Sequence, residues 1–120
     1  MSRLFALLLV GLAISGCSKA TEADRAALMG LWKPEDGTTH TVEFKADGDF
    51  DYRYFAILRL SWALGRKGQV TLTSANGVAL TCYYKIENDR LLIDNGSGDT
   101  CVTPSATPPE PMPKSFTRVK

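Results

Sequence analysis

Asp47, Asp49 and Asp51 form the densest group of potential metal ligands in the chain and suggest calcium chemistry at first sight. An EF-hand loop also needs a glycine at its sixth position and a glutamate at its twelfth, and neither is present. Gly48 sits where a hairpin turn wants it, so the three residues read as a charged turn with solvated carboxylates. His40 is the only histidine. It falls on an expected strand beside Glu43, and no serine or cysteine nucleophile has a base within local spacing. The chain therefore reads as non-enzymatic, with no metal site and no cofactor. The remaining chemistry-bearing residues are aromatic. Phe50, Tyr52, Tyr54, Trp62, Tyr83 and Tyr84 either line an apolar ligand cavity or fill a core, and the core is the simpler reading. Phe55 and Tyr83 fall on the phase opposite to their strands' core faces. Outward aromatics can anchor an interface, which makes these two the candidate binding face.

The N-terminus has three parts. Met1-Ser2-Arg3 carries one positive charge, Leu4 to Ile14 is unbroken apolar residues and glycine, and Ile14-Ser15-Gly16-Cys17 closes it. A basic start, an apolar stretch and small residues before a cut point are the requirements of an export signal. A membrane-spanning helix needs about 20 apolar residues, and this run is shorter. Ile-Ser-Gly-Cys resembles the lipobox of bacterial lipoproteins. The resemblance implies cleavage before Cys17, diacylglycerol on its sulfur, and, with Ser18 rather than Asp after it, delivery to the periplasmic face of the outer membrane. Several acyl chains would then provide a stable anchor. The chain divides accordingly into a cleaved signal at 1–16, a lipidated N-terminus and tether at 17–27, and a domain at 28–120 with a proline-rich loop at 103–114.

Cleavage leaves 104 of the 120 residues, enough for one domain with a modest core. Arg3 is lost, so the 14 basic residues fall to 13 and equal the 13 acidic ones. No basic stripe remains to neutralise phosphates, which disfavours nucleic acid as a partner. Lys19, Arg25 and Lys33 alternate with Glu22 and Asp24, so no polybasic membrane patch is seen. With Cys17 lipidated, Cys82 and Cys101 remain as a pair in an oxidising compartment. A disulfide between them is expected. A two-cysteine metal site lacks a nearby histidine.

Asp24 to Met29 reads as a helical turn, with Asp24 as its N-cap. Beyond it the apolar period is two. Val42 and Phe44 face inward, and Asp47-Gly48 marks a hairpin. Phe50, Tyr52 and Tyr54 share one face, as do Leu58, Leu60, Trp62 and Leu64. Ala56 to Leu64 contains no breaker, so a short helix stays open there beside the favoured strand. Val70 and Leu72 follow, Asn76-Gly77 is a second hairpin signal, and Val78, Leu80, Cys82, Tyr84 and Ile86 form one face. Arg90 to Asp94 and Ser115 to Val119 complete the strands, the last with Phe116 or Val119 inward. Pro104 to Lys114 holds five of the six prolines and is expected to run extended over the surface. The fold class is all-β: a small antiparallel meander barrel or half-barrel of seven or eight short strands.

Gly30-Leu31-Trp32, the hairpin Phe44 to Phe50 and the terminal Phe116-Thr117-Arg118 are similar to elements of lipocalins and bacterial lipocalin-like domains. The resemblance covers most of residues 28–119 and implies that Arg118 packs over Trp32 at one barrel end. The chain is much shorter than a full lipocalin, so a small barrel filled with side chains replaces a large calyx.

The leading expectation is a binding module held to the membrane through Cys17, with a protein partner or a small apolar ligand. Two other readings stand beside it: an inhibitor or immunity lipoprotein blocking a cell-wall hydrolase, and an envelope-assembly accessory. The membrane-bound lysozyme inhibitors carry a Tyr-x-Cys motif. Here Leu80 stands two before Cys82, so that match fails.

Overall fold

The computed structural model describes residues 19–104 and 109–120. The expected export signal, Cys17 and residues 105–108 of the proline segment lie outside the described residues. Helix α1 (Glu22–Leu28) precedes eight strands: β1 (Gly30–Pro34), β2 (Thr41–Phe44), β3 (Asp49–Arg53), β4 (Ile57–Leu64), β5 (Gln69–Thr73), β6 (Ala79–Glu87), β7 (Arg90–Asp94) and β8 (Ser115–Arg118). Each strand pairs antiparallel with the next, and β8 returns to pair with β1, closing a barrel. The two-residue period causes this arrangement. On β4, Leu60 and Trp62 are buried while Ile57, Arg59, Ser61 and Ala63 point outward, which settles this segment as strand rather than helix. A one-residue slip would turn Arg59 into the core, so the register is strongly specified.

Strand directions divide the barrel into two ends. Helix α1 and the turns at 45–48, 65–68 and 88–89 lie at one, the helix end. The connections at 35–40, 54–56, 74–78 and 95–114 lie at the other, the loop end.

Helix α1 starts earlier than expected, because Thr21 rather than Asp24 is the N-cap. Thr21 Oγ1 accepts from the Asp24 amide at 3.2 Å and the Asp24 carboxylate accepts from the Thr21 amide at 2.8 Å, a reciprocal capping box. That carboxylate is held below the usual aspartate range, mainly by the Thr21 amide. The helix is not part of a free tether. Leu28 is fully buried, the Ala20 amide donates to Gly65 O at 3.0 Å, and Lys19 bridges Arg66. Arg25 lies 4.3 Å over the Trp62 ring and donates to Ala46 O at 2.8 Å. Residues 19–28 thus stopper the helix end.

The loop end is stoppered too, and here the expected surface-running proline segment is corrected. Cys101 reaches in to a disulfide with Cys82 of β6, their Cα atoms 6.1 Å apart and both side chains buried. Residues 101–103 and 110–112 then pair with each other: the Thr103 amide donates to Glu110 O at 3.0 Å and the Met112 amide to Cys101 O at 2.9 Å. Thr103, Met112 and Pro113 are buried. Prolines prevent the segment from joining the main ladder, but a methionine between two of them still gains by leaving water.

One smaller difference concerns Val78, expected on the inward face of β6, and one open choice is decided at the C-terminus. Val78 is exposed, because it lies in the turn before β6 begins and its amide is held by Ser74 Oγ at 3.1 Å. At the C-terminus Phe116 is the inward residue and Val119 is exposed.

Candidate functional site

The barrel interior is packed with aromatic and aliphatic side chains. Trp32, Phe44, Phe50, Tyr52 and Phe116 are buried with Leu72, Leu91 and Met112. The Phe44 ring lies 4.8 Å from Phe50 and 5.2 Å from Trp62, the latter edge-to-face, within the favourable aromatic range. These side chains occupy the volume where a larger barrel of this type would enclose a ligand.

At the helix end Arg118 lies 4.2 Å over the Trp32 ring. Their register in the β1–β8 pair places the two directly opposite. Arg118 also donates to Met29 O at 2.8 Å and to Ala27 O, so one guanidinium ties the last strand to the end of α1. Trp32 Nε1 donates to Leu28 O at 2.9 Å. Gly30 has a φ of +120°, and a Cβ there would stand 3.1 Å from Arg118 Nη1. The backbone conformation favours glycine here, and a Cβ would in addition push the Arg118 guanidinium aside by a few tenths of an ångström.

The three aspartates separate. Among the described residues no group of three or more His, Cys, Asp or Glu side chains converges to hold a metal. Asp47 accepts from the Asp49 amide at 3.0 Å within the turn. Asp51 is not a solvated turn carboxylate, as expected from sequence, but 0% exposed although it points outward from β3. Three cations roof it: Arg59 Nε at 2.9 Å, Lys45 Nζ at 3.0 Å and Arg53 Nη2 at 3.6 Å. Hydrogen bonding to Arg59 leads in holding its carboxyl below the usual range, with Lys45 adding to it against the cost of burial. This cluster was legible only once the Asp47-Gly48 turn fixes the register, which sets Glu43, Asp51 and Arg59 side by side across β2, β3 and β4.

His40 is half-buried against the loop end. Its Nδ1 lies 3.0 Å from Tyr52 Oη, which also lies 3.1 Å from Pro111 O. A single phenolic proton can serve only one acceptor, so both contacts hold if Nδ1 carries hydrogen and Tyr52 donates to the carbonyl. Burial raises the Tyr52 phenol well above its ordinary value, so the hydroxyl stays protonated. The group ties the start of β2 to the proline segment.

The two candidate binding residues do not share a surface. Phe55 occupies the tip of the β3–β4 hairpin, where the Tyr54 amide donates to Ala56 O at 2.9 Å. It is 90% exposed, with its ring edge-to-face on Tyr54 at 4.9 Å. Ile57, the next outward residue, is 60% exposed, and Val78 and Val102 add further exposed apolar side chains at this end. Tyr83 projects from β6, two strands around the barrel from β4, and is 41% exposed. No protein-family model, curated protein or solved structure matches the chain.

Proposed function

We propose that this chain is a non-enzymatic lipoprotein, anchored through Cys17 to the periplasmic face of the outer membrane, that recognises a protein partner with the loop end of its barrel. The observation that carries the reading is the position of Phe55 and Ile57. A packed interior leaves the outer surface for recognition, and large apolar side chains held in water are the expected anchors of a protein interface. Described residues enter the barrel at the helix end, beginning with Lys19. An anchor two residues upstream would leave the loop end facing away from the membrane. A small apolar ligand inside the barrel is the less favoured occupant, because Met112 and the aromatic core take that volume. Lipocalin ancestry is a further element of the proposal, supported by the stacking of Arg118 on Trp32.

A photo-crosslinking residue at position 55, in wild type and in Cys17→Ser, tests both halves in the cell. The reading expects a discrete protein adduct whose yield falls when Cys17 is replaced. Mass spectrometry of the mature N-terminus should find acylated Cys17. An unmodified N-terminus at Met1 would remove the anchor, and the absence of any adduct would remove the partner.

The inhibitor reading has one observation in its favour. Phe55 stands at a three-residue tip between paired strands, a narrow projection of the kind an enzyme cleft accepts. In that case the adduct is a cell-wall hydrolase, and Phe55→Ala restores its activity.

A further inference from the structure

A second surface, remote from Phe55, has the composition of a different kind of site. The register across β5, β6 and β7 sets Gln69, Tyr83 and Asp94 in one outward row. Adjacent outward positions hold Thr71 and Thr81 on one side, their Oγ1 atoms 3.4 Å apart, and Lys85 and Leu92 on the other. The corresponding row on β2–β4 is Glu43, Asp51 and Arg59, two carboxylic side chains and a guanidinium with no aromatic ring. The Tyr83 row instead combines a planar amide, an aromatic ring and a carboxylate, beside two hydroxyls.

The ring is held in place. Gly96, with φ +96°, lies directly against it: a Cβ there would come within 2.7 Å of Tyr83 Cε1 and 2.9 Å of Cδ1. Asp94 Oδ1 fixes that glycine by accepting its amide at 2.8 Å. A Cβ at position 96 could be accommodated only if the ring moved, and the positive φ disfavours other residues there as well, so the loop after β7 packs closely against Tyr83. The ring borders a groove of about 280 Å³ lined by Tyr83, Tyr84, Lys85, Leu92 and Asp94. An aromatic side chain fixed from one side loses little conformational freedom when its other side is covered.

We infer that the Gln69–Tyr83–Asp94 row is a saccharide-binding site that takes pyranose units of an oligosaccharide chain. A pyranose presents a face of C–H bonds, which stacks on an aromatic ring, and an edge of hydroxyls that both donate and accept. Tyr83 supplies the stacking surface. Gln69 offers donors and an acceptor, Asp94 offers acceptors and Lys85 donors, so a hydroxyl leaving water finds a partner at each edge of the ring. A purely apolar partner would leave these groups unpaired, and a strongly charged one would find no excess of opposite charge beside the ring. The inference does not depend on the anchor or on the partner proposed for the loop end.

The test is calorimetric titration of the full chain, kept in a zwitterionic detergent without sugar groups. The probes are three tetrasaccharides: β-1,4-linked N-acetylglucosamine, β-1,4-linked glucose and α-1,4-linked glucose. Binding of at least one is expected. Tyr83→Ala should weaken it by about tenfold or more, and Tyr83→Phe, which keeps the ring, should stay within about twofold. Gly96→Ala displaces the ring and should weaken binding like Tyr83→Ala, with the far-ultraviolet circular dichroism of the wild type. Phe55→Ala should leave it unchanged. No binding of any of the three probes by the wild type overturns the inference, as does equal affinity in Tyr83→Ala. Loss of the position-55 adduct with saccharide binding intact would instead count against the protein partner alone.

Discussion

Asp51→Asn isolates the charge of the carboxylate that, among the described residues, is buried on the barrel's outer wall. Asparagine keeps the shape and one acceptor oxygen but removes the charge that three cations share. An exposed ion pair contributes about 0.2–1 kcal/mol, and removing one partner of a buried pair costs about 3–5 kcal/mol. Asp51 itself is excluded from water, but Lys45, Arg53 and Arg59 keep access to it, so their charges can be resolvated when the carboxylate is lost. The expected cost is therefore between those limits, about 2 kcal/mol at pH 7. Urea unfolding under non-reducing conditions measures it. The pH dependence supplies the sign. The native carboxyl is depressed, so its contribution is fully present above the ordinary aspartate value of about 3.9 and is lost as pH falls through the lower native value. Wild type and Asp51→Asn should then converge in stability below that value. A difference under about 0.5 kcal/mol at pH 7, within the range of ordinary surface substitutions, would refute the reasoning. A gap that persists undiminished below the native titration would refute it as well.

Three further outcomes can be checked in the same way. Replacing both Cys82 and Cys101 with alanine opens a loop with a sequence separation of 19; the chain-entropy cost is about 3 kcal/mol, read as a lower urea midpoint, and limited proteolysis should then cut within 95–114. Arg118→Met keeps much of the stem but loses the stacking on Trp32 and the bonds to Met29 O and Ala27 O; a loss of about 2 kcal/mol is expected, with faster hydrogen exchange in α1 than in β4. Tyr52→Phe removes the hydroxyl between His40 and Pro111; about 1–2 kcal/mol should be lost, and the Met112 amide should exchange faster while the β2–β3 ladder is unchanged.

Much of the barrel was legible because its strands obey one rule. Val42, Phe44, Phe50, Tyr52, Leu60, Trp62, Val70 and Leu72 alternate with polar residues, and Asp47-Gly48 and Asn76-Gly77 mark turns between them. Closure by β8 onto β1 is less visible locally, since it joins residues nearly 90 positions apart, as in the Arg118–Met29 bond. The start of α1 was misplaced because Asp24 fits an N-cap as well as the third helical position. Thr21 three residues earlier is what decides between them. Met112 carries no periodicity, being flanked by prolines, so its burial depends on a disulfide that draws residues 101–103 inward. Asp51 looked like a surface charge because its partners are scattered: Lys45 before it in the turn, Arg53 two residues on along β3, and Arg59 across on β4. Tyr83 was legible as an outward aromatic, but its support by Gly96 was not, because the contact depends on how the 95–98 turn folds back.

Closure of the barrel also bears on how many copies can share a surface. The anchor proposed at Cys17 would confine the domain to two dimensions, where neighbouring copies meet far more often than in dilute solution. An open sheet would present a row of unpaired amides and carbonyls at its border, a template for joining the next chain. Here β1 and β8 satisfy one another, so the ring of eight strands has no such border. Crowded copies find no strand of this ring left open to extend, so dense display need not lead to fibrous association by strand addition.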